Sequence, residues 1–285
     1  MKLLTTRLPA DHNWFFGADQ HYGSILFYLK GWNEFVRCIK SPYEGCANNV
    51  VSLGGDNIEA ILINDKRADK QKMAEPFARV QEREVTELIR PIAPELKYML
   101  DGNHELTLWR YGDIVGEICR ALNVPHGTVT TKMTVLNTKG KLMYKIWDTH
   151  GRKTITSSAD DPIRRDTNHQ LILKRHLRRK AGDCAVMIKH HTHKLFVTPP
   201  TRELYLTDNG ESLQQNYTEQ DQKAKYIHPD MRWYGNAGSF MKLYEDGYSG
   251  YAEIAEYDPV QLGFLVLIVR GGKIVELKTH ILKGT

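Results

Sequence analysis

Short polar blocks stand just after five predicted β-strands of this chain, and their placement limits the fold more than any other feature. The strands are predicted at residues 14–18, 49–53 and 97–100, at the segment ending in Ile146-Trp147, and at 184–189. The blocks carry carboxylate, carboxamide and imidazole groups: Asp19-Gln20-His21, Gly54-Gly55-Asp56-Asn57, Gly102-Asn103-His104-Glu105, Asp148-Thr149-His150-Gly151 and His190-His191-Thr192-His193. Because functional groups of open α/β sheets gather at the carboxyl ends of strands, we expect these blocks to meet.

The segments between the first strands predict helices. Residues 24–39 place Ile25, Leu29, Trp32 and Val36 on one face, and residues 72–90 form a charged amphipathic pattern with a kink near Pro76. Another helix is expected within residues 104–122. The first half of the chain therefore alternates strands and helices.

From Thr128 onward the pattern changes to mostly β. A hairpin is expected around Lys139-Gly140, followed by a basic helical segment at about 161–181 and a β-rich portion at about 194–285. Turns at Asp208-Asn209-Gly210 and at Gly271-Gly272 indicate two more hairpins. The chain has no linker rich in Gly, Ser and Pro, so we predict a single α/β domain spanning residues 1–285.

Composition is that of a soluble globular protein, with 41% hydrophobic and 26% charged residues. No apolar run is long enough to span a bilayer, and the first residues lack the apolar core of a secretory signal. The four cysteines, Cys38, Cys46, Cys119 and Cys184, are scattered, which suits reduced thiols and a cytoplasmic location. A net charge of +5 permits a polyanionic partner without requiring one.

The mixture of imidazole and oxygen donors in the five blocks indicates a transition metal. Such a set suits manganese, iron, zinc, nickel or cobalt better than magnesium or calcium. An isolated Asp-x-His is more often a surface loop, and a histidine-rich loop can simply be solvated. The occurrence of all five blocks in order, each after a strand, favours a metal centre.

The blocks resemble the motif of the calcineurin-like metallophosphoesterase family, which runs D-x-H, G-D, G-N-H-[DE], H and G-H-x-H. The resemblance covers about residues 14–193 and extends to Asn236-Ala237-Gly238-Ser239, which is similar to an N-x-G-S segment of many members. One departure is His190, where the family usually has Gly; its side chain would crowd the loop or add a polar contact. The resemblance implies a two-sheet β-sandwich flanked by helices.

The resemblance also implies two divalent transition-metal ions, with manganese the first choice and iron, zinc, nickel or cobalt as alternatives. Asp19, His21 and His193 would hold the first ion. The second would be held by Asn103, His150 and His191. Asp56 would bridge the two.

The implied reaction is in-line attack of a metal-bound hydroxide on a phosphoester. His104 would stabilise the transition state and protonate the leaving oxygen. Its carboxylate partner would keep it cationic; Glu59 is the candidate, because the family's protein phosphatases carry an acidic residue three positions after the bridging aspartate, and Asp101 is the alternative. Arg152 would contact the phosphate, and Asp148 would support His150.

The substrate is less constrained. A basic segment carries Arg164, Arg165, Lys174, Arg175, Arg178, Arg179 and Lys180. On a helix, Lys174, Arg175, Arg178 and Arg179 would share one face, with Leu171, Ile172 and Leu177 buried opposite. That face would track a nucleic-acid backbone or simply be solvated, and the aromatic residues Tyr205, Tyr217, Tyr226, Trp233 and Tyr234 would stack on bases or cover the sandwich.

The leading hypothesis is a metal-dependent phosphodiesterase, with DNA or RNA as candidate substrates. A phosphomonoesterase or nucleotide hydrolase is the alternative, and a non-catalytic scaffold of the same fold is the second alternative. The protein phosphatases' G-D-x-V-D-R-G block is absent, since the chain has Gly55-Asp56-Asn57-Ile58-Glu59-Ala60. The oligomeric state is not fixed by the sequence.

Overall fold

The computed structural model describes residues 1–61, 73–248 and 251–283. Its strands, numbered in chain order, are β1 (Lys2–Leu8), β2 (His12–Gly17), β3 (Asn49–Leu53), β4 (Leu96–Met99), β5 (Thr130–Asn137), β6 (Leu142–Thr149), β7 (Val186–Lys189), β8 (Leu195–Thr198), β9 (Leu204–Asp208), β10 (Leu213–Tyr217), β11 (Trp233–Ala237), β12 (Gly263–Arg270) and β13 (Lys273–Ile281). Its helices are α1 (Leu29–Lys40), α2 (Ala78–Ile89), α3 (Asn103–Thr107), α4 (Ile114–Leu122), α5 (Pro162–Leu177) and α6 (Tyr251–Ile254).

Two main sheets organise these strands. The order in the five-stranded sheet is β13-β12-β2-β3-β4, and in the six-stranded sheet it is β1-β5-β6-β7-β11-β8. Strands β2, β3 and β4 are parallel neighbours, as are β6 and β7. A separate antiparallel pair, β9 and β10, forms the hairpin predicted at residues 208–210.

Strand β2 shows how the layers form. Trp14 and Phe16 point between the two sheets, where they join a core with residues such as Ile146 of the other sheet. Phe15 points the opposite way and packs with Trp32 of α1. Because both faces of the strand are covered, it reads as an unbroken apolar run rather than an alternating one. The α/β class and the helix-flanked sandwich predicted from the sequence are confirmed.

Helix α5 covers the outer face of the six-stranded sheet, with Leu177 buried as predicted and Ile172 packed, partly buried, against the same cluster. Leu173 and Leu177 are buried against Met187 and Tyr234. The prediction that Leu171 is buried was wrong, since its side chain is exposed. Residues 173 and 177 are one helical turn apart and form a stripe that excludes position 171.

The basic side chains of this segment are mostly solvated. Arg164, Arg175, Arg178, Arg179 and Lys180 are exposed. Lys174 instead forms an ion pair with Asp230, with Nζ 2.7 Å from Oδ1.

Helix α1 begins later than the sequence predicts. The backbone of residues 24–28 pairs with the segment after β11 instead: Tyr28 N donates to Phe240 O, and Lys242 N donates to Leu26 O. Tertiary hydrogen bonds thus replace the first helical turn. Residues 104–122 divide into α3 and α4 at Gly112, whose φ of 119° breaks the helix.

Helix α2 begins after Pro76 rather than at the predicted start, residue 72, which lies outside the described residues. The hairpins β5–β6 and β12–β13 form as predicted. Among the described residues, no helix has the length and apolar character needed to cross a membrane.

Candidate metal centre

The five polar blocks lie at or beside the carboxyl ends of β2, β3, β4, β6 and β7. The first three strands are adjacent and parallel, so their ends share one edge of their sheet. The last two are a parallel pair in the facing sheet. Side chains from blocks distant in sequence therefore come within reach of one another.

One cluster consists of Asp19, His21 and His193, whose nearest ligand atoms all lie within 4.8 Å of one another. Nε2 of His21 is 3.2 Å from Nε2 of His193. Oδ1 of Asp19 is 3.6 Å from Nε2 of His193, and this buried oxygen has no hydrogen-bond partner. A buried carboxylate oxygen facing imidazole nitrogens fits a cation bound between them.

A second cluster consists of Asp56, His150 and His191, also within 4.8 Å. Nε2 of His150 is 3.1 Å from Oδ2 of Asp56 and 3.1 Å from Oδ1 of Asn103. The second cluster thus carries the four side chains that the sequence places there, counting the shared aspartate.

Asp56 belongs to the second cluster and also faces the first. Its Oδ2 is 3.9 Å from Nε2 of His21 on one side and 3.1 Å from Nε2 of His150 on the other. Its Oδ1 accepts a hydrogen bond from the backbone N of His104. A carboxylate in this place can face two cations at once.

Hydrogen bonding fixes which nitrogens can bind a cation. Nδ1 of His150 lies 2.8 Å from the carbonyl oxygen of Gly54, so Nδ1 carries the proton of a neutral ring. Its Nε2 lone pair then faces two acceptor oxygens, those of Asp56 and Asn103. Acceptors facing one another are stable only with a cation among them, either a proton or a metal ion.

The electrostatics follow the same pattern. Burial alone would lower the pKa of His150, but the charge of Asp56 and the hydrogen bond to it raise the pKa to about 9. Burial also opposes the charged form of His21, whose pKa is raised to about 9 by Glu59 and Asp56. In contrast, burial and a cationic neighbour, His150, lower the pKa of His191 to about 4. Protons and metal ions therefore compete for the Nε2 atoms of His21 and His150.

Backbone conformation marks the same residues. Asp19, His21, Asp56, His191 and His193 all have φ between 49° and 80°, in the left-handed region. Residues other than Gly seldom adopt this conformation, which costs about 1–3 kcal/mol in the less favourable cases. Backbone strain in the loops that carry the candidate metal-binding residues is typical of a functional site.

Glu105 holds two of these loops together. Its carboxylate accepts hydrogen bonds from the backbone N atoms of Gly102 at 2.9 Å, Asp56 at 3.2 Å and Asn57 at 2.5 Å. Burial and the charge of Asp56 raise its pKa to about 7. The acidic position of the G-N-H-E block thus fixes the backbone at Asp56.

The segment similar to N-x-G-S supports two other loops. Oγ1 of Thr192 donates to Oδ1 of Asn236 at 3.1 Å, and Oγ of Ser239 donates to the carbonyl oxygen of Asp19 at 3.0 Å. Asn236 and Ser239 are both fully buried. They join the first and last blocks to β11.

His190 lies away from the two clusters. Its ring is fully buried, and its Nε2 is 2.7 Å from Oδ1 of Asp148, whose other oxygen accepts from the hydroxyl of Tyr98. The ring lies against Gly54, where a Cβ would be 2.3 Å from it. Of the two expected effects, the added polar contact is found, and Gly54 provides the space that the ring needs.

The prediction that Asp148 supports His150 was wrong. Strand β6 extends to Thr149, so Asp148 lies within the strand and points into the sandwich, where its partner is His190. Nδ1 of His150 instead contacts the backbone carbonyl of Gly54.

Glu59 also has a different partner from the one predicted. Its carboxylate lies 2.8 Å from Nδ1 of His21, whereas Nδ1 of His104 contacts the backbone carbonyl of Glu59. Burial and the charge of His21 lower the pKa of His104, so the expectation that Glu59 keeps His104 cationic is not met. The alternative partner, Asp101, is occupied by His126, at 2.7 Å.

Two lysines of this region were not predicted. Lys189 is 2% exposed, and its Nζ donates to the carbonyl oxygens of His150 and His190, joining two ligand loops. Lys194 follows His193 directly, and its Nζ lies 3.0 Å from Nε2 of His169. A lysine ending an otherwise apolar strand, as Lys189 does, was a usable sign in the sequence.

A cleft of about 1910 Å³ opens over the clusters. His104, Asn103 and the rings of His21, His191 and His193 line one part of it. The rest extends along α5 and the segment after β11. Arg152, the predicted phosphate contact, is exposed. It is not among the described residues that line the cleft.

A scan against protein-family models and a search of curated proteins both found no match to this chain. Among solved structures, the chain is similar to the crystal structure of a conserved uncharacterized protein from Streptococcus pneumoniae TIGR4, a predicted phosphoesterase. The two are 10% identical, with 95% of this chain and 97% of that chain covered, at a TM-score of 0.29. A superposition this loose establishes neither a common fold nor a common function, and the function proposed below is drawn from the site.

Proposed function

We propose that the protein is a dinuclear metal-dependent phosphoesterase that hydrolyses phosphodiesters. The observation that carries the proposal is Asp56, whose carboxylate faces both clusters, each of which can hold a divalent ion. A carboxylate shared by both clusters distinguishes one two-ion site from two separate single-ion sites.

The side chains divide naturally between the two ions. Asp19, His21 and His193 would hold one, and Asn103, His150 and His191 the other, with Asp56 common to both. When bound, two such ions offset phosphate charge and make water acidic enough to supply a nucleophile near neutral pH. Manganese is the first choice for mixed imidazole and oxygen donors, ahead of iron, zinc, nickel and cobalt.

His104 is the candidate proton donor. Its Nδ1 is held by the carbonyl of Glu59, so Nε2 is the atom left to face the cleft. Burial lowers the pKa of this ring, but a phosphate group beside it would favour the protonated form. Protonated His104 would then give its Nε2 proton to the leaving oxygen.

In this proposal Glu59 acts through His21 and not on the substrate. By accepting from Nδ1 of His21, it keeps the Nε2 lone pair of that ring directed at the cluster. Its role is thus to orient a ligand, whereas the sequence predicted a direct partner for His104.

The size of the cleft favours a diester over a monoester. A volume of about 1910 Å³ exceeds the roughly 300–1,000 Å³ of ordinary small-molecule sites, so there is room for a substituent on each side of the phosphate. DNA and RNA are accordingly the candidate substrates. A phosphomonoesterase or nucleotide hydrolase remains the alternative.

The test compares bis-p-nitrophenyl phosphate with p-nitrophenyl phosphate in the presence of Mn²⁺, together with elemental analysis of bound metal. We expect about two ions per chain and faster turnover of the diester. Faster monoester turnover would assign the protein to the alternative class. Absence of both metal and turnover would favour a non-catalytic scaffold.

A further inference from the structure

We infer that Lys194, Arg165 and His169 form a subsite for a second phosphate group of the substrate, next to the metal clusters. The inference rests on the proposed function, because the subsite would bind the phosphate group next to the one that is cleaved. None of the three residues belongs to a polar block that the sequence singled out as metal-binding.

The three side chains share the cleft with the clusters. Lys194 follows the candidate ligand His193, and both line the cleft with Arg165 and His169 of α5. Nζ of Lys194 lies 3.0 Å from Nε2 of His169. Because an ammonium group can only donate, His169 accepts here, and the other N–H groups of Lys194 remain available to an anion.

His169 is itself fixed in place. Its ring packs against Phe196 of β8, with centroids 6.1 Å apart. Phe196 lines the same cleft, and β8 is hydrogen-bonded to β11. Lys194 is thereby directed by a ring that is anchored to the sheet, and its ammonium group is preorganised for an incoming anion.

The acidic groups nearby leave the cations accessible. Asp166 and Asp258 line the cleft beside the three residues. Nη1 of Arg165 is 3.8 Å from Oδ2 of Asp258, whose side chain is 85% exposed. A pair this long and this exposed contributes little, so a phosphate can displace it at small cost.

A second phosphate is the ligand that fits best. The cleft is too large for one small phosphoester, and its two cationic side chains lie beside the clusters instead of within them. Thr154, Thr156 and Ser157 add hydroxyl groups along the same wall, and hydroxyls are frequent contacts of phosphate oxygens. We assign the ligand as the adjacent phosphate of a polynucleotide strand, for which the terminal phosphates of a nucleoside triphosphate are the other source.

The test measures two quantities in Arg165→Gln and Lys194→Gln variants. The first is KM for oligothymidylate relative to KM for bis-p-nitrophenyl phosphate, which has a single phosphate. The second is the dependence of oligothymidylate affinity on salt, by fluorescence anisotropy. Arg164→Gln is the matched control, since Arg164 is exposed on the same helix and does not line the cleft among the described residues.

We expect each of the two variants to raise the KM ratio about tenfold, the loss of one charge-assisted contact. The slope of log affinity against log salt should fall by about 0.7 for each, the value for one phosphate contact on a single strand. A KM ratio and slope equal to those of Arg164→Gln, together with unchanged inhibition by thymidine triphosphate, would overturn the subsite. Weaker inhibition by thymidine triphosphate, without a change for oligothymidylate, would assign the second phosphate to a nucleotide.

The outcome also separates this inference from the proposed function. If neither substrate is turned over with Mn²⁺, the proposed function fails, and the anisotropy measurement still decides the subsite. A reduced salt slope in both variants would then support an anion-binding cleft in a protein without turnover. Unchanged slopes would refute the subsite as well.

Discussion

The carboxylate of Glu59 lies 2.8 Å from Nδ1 of His21, so it orients a candidate metal ligand and not the candidate acid His104. Both side chains are almost fully buried. A carboxylate behind a histidine of this kind fixes the tautomer and strengthens the ring as a ligand. Glu59 thus contacts both rings, the candidate ligand His21 through its carboxylate and the candidate acid His104 through its backbone carbonyl.

Replacing Glu59 by Ala is expected to weaken Mn²⁺ binding by about 10- to 100-fold, because His21 loses the acceptor that directs its lone pair. Calorimetric titration with Mn²⁺ measures the change. Glu59→Gln retains an oxygen acceptor and should lose less affinity. Wild-type affinity in the Ala variant would show that the carboxylate does not orient His21.

Replacing Asp56 by Asn is expected to weaken the binding of both ions, because one oxygen of this side chain faces both clusters. Elemental analysis after dialysis gives the number of ions per chain. The matched variant, Asp19→Asn, should affect one ion more than the other, since Asp19 belongs to a single cluster. Retention of both ions in Asp56→Asn would refute the bridging role.

Replacing His104 by Asn is expected to leave metal content unchanged while lowering turnover about 100-fold or more on a diester with a poor leaving group. The loss should be smaller for bis-p-nitrophenyl phosphate, because nitrophenolate leaves without a proton. Steady-state rates on the two substrates test this difference. Loss of metal in the variant would instead identify His104 as a ligand.

Replacing Gly54 by Ala is expected to destabilise the protein by about 1–3 kcal/mol, since the new Cβ would lie 2.3 Å from the buried ring of His190. In the double variant with His190→Gly the clash is gone. Gly54→Ala should therefore cost less stability in the His190→Gly protein than in the wild type. Urea unfolding of the four proteins in this cycle measures the coupling. Additive costs would mean that the two residues do not compete for space.

Stability at acidic pH should depend on His12, which lies at the opposite end of β2 from the candidate ligands. The residue is fully buried, its Nδ1 donates to the carbonyl of Pro9, and its Nε2 accepts from the hydroxyl of Tyr144. Burial, together with the charge of Arg270, lowers the pKa of His12 to about 4.

Below pH 6.5 the unfolded chain binds a proton at His12 that the folded chain does not. The contribution is therefore complete above about pH 6.5 and is lost as the pH falls toward 4, in total about 3 kcal/mol. The difference in unfolding free energy between the metal-free wild type and His12→Gln should change by about 2–3 kcal/mol between pH 7.5 and 4.5. A difference independent of pH would show that His12 is not held neutral.

Much of the candidate site follows from local sequence. The order of strand, polar block and helix is set by short-range patterns. Gly55, with φ 96°, permits the turn after β3. Gly102 instead leaves room for Asp56, since a Cβ there would lie 2.0 Å from its Oδ1. The resemblance of these blocks to a known motif then suggested which residues belong together. In the structure they do lie together, since Asp19, His21 and His193 form one cluster and Asp56, His150 and His191 the other.

The partners of these residues could not be predicted in this way. The sequence distance between Asp56 and Glu59 suggested that Glu59 serves His104, yet its carboxylate contacts His21 and only its backbone carbonyl contacts His104. Asp148 was expected beside His150 because it is near in sequence. Strand β6 ends at Thr149, so His150 lies in the loop that follows and contacts Gly54, whereas Asp148 lies within the strand and pairs with His190, which follows β7.

What the sequence by itself determined is the set of donors and the strands that present them, because strand pattern and loop chemistry are encoded locally. What only the tertiary structure decided is how the donors are held. The carbonyl of Gly54 at His150, the carboxylate of Glu105 under Asp56 and the ammonium group of Lys189 between two loops all join segments far apart in sequence. Such contacts depend on how the two sheets pack, and the packing is a property of the whole chain and not of any one segment.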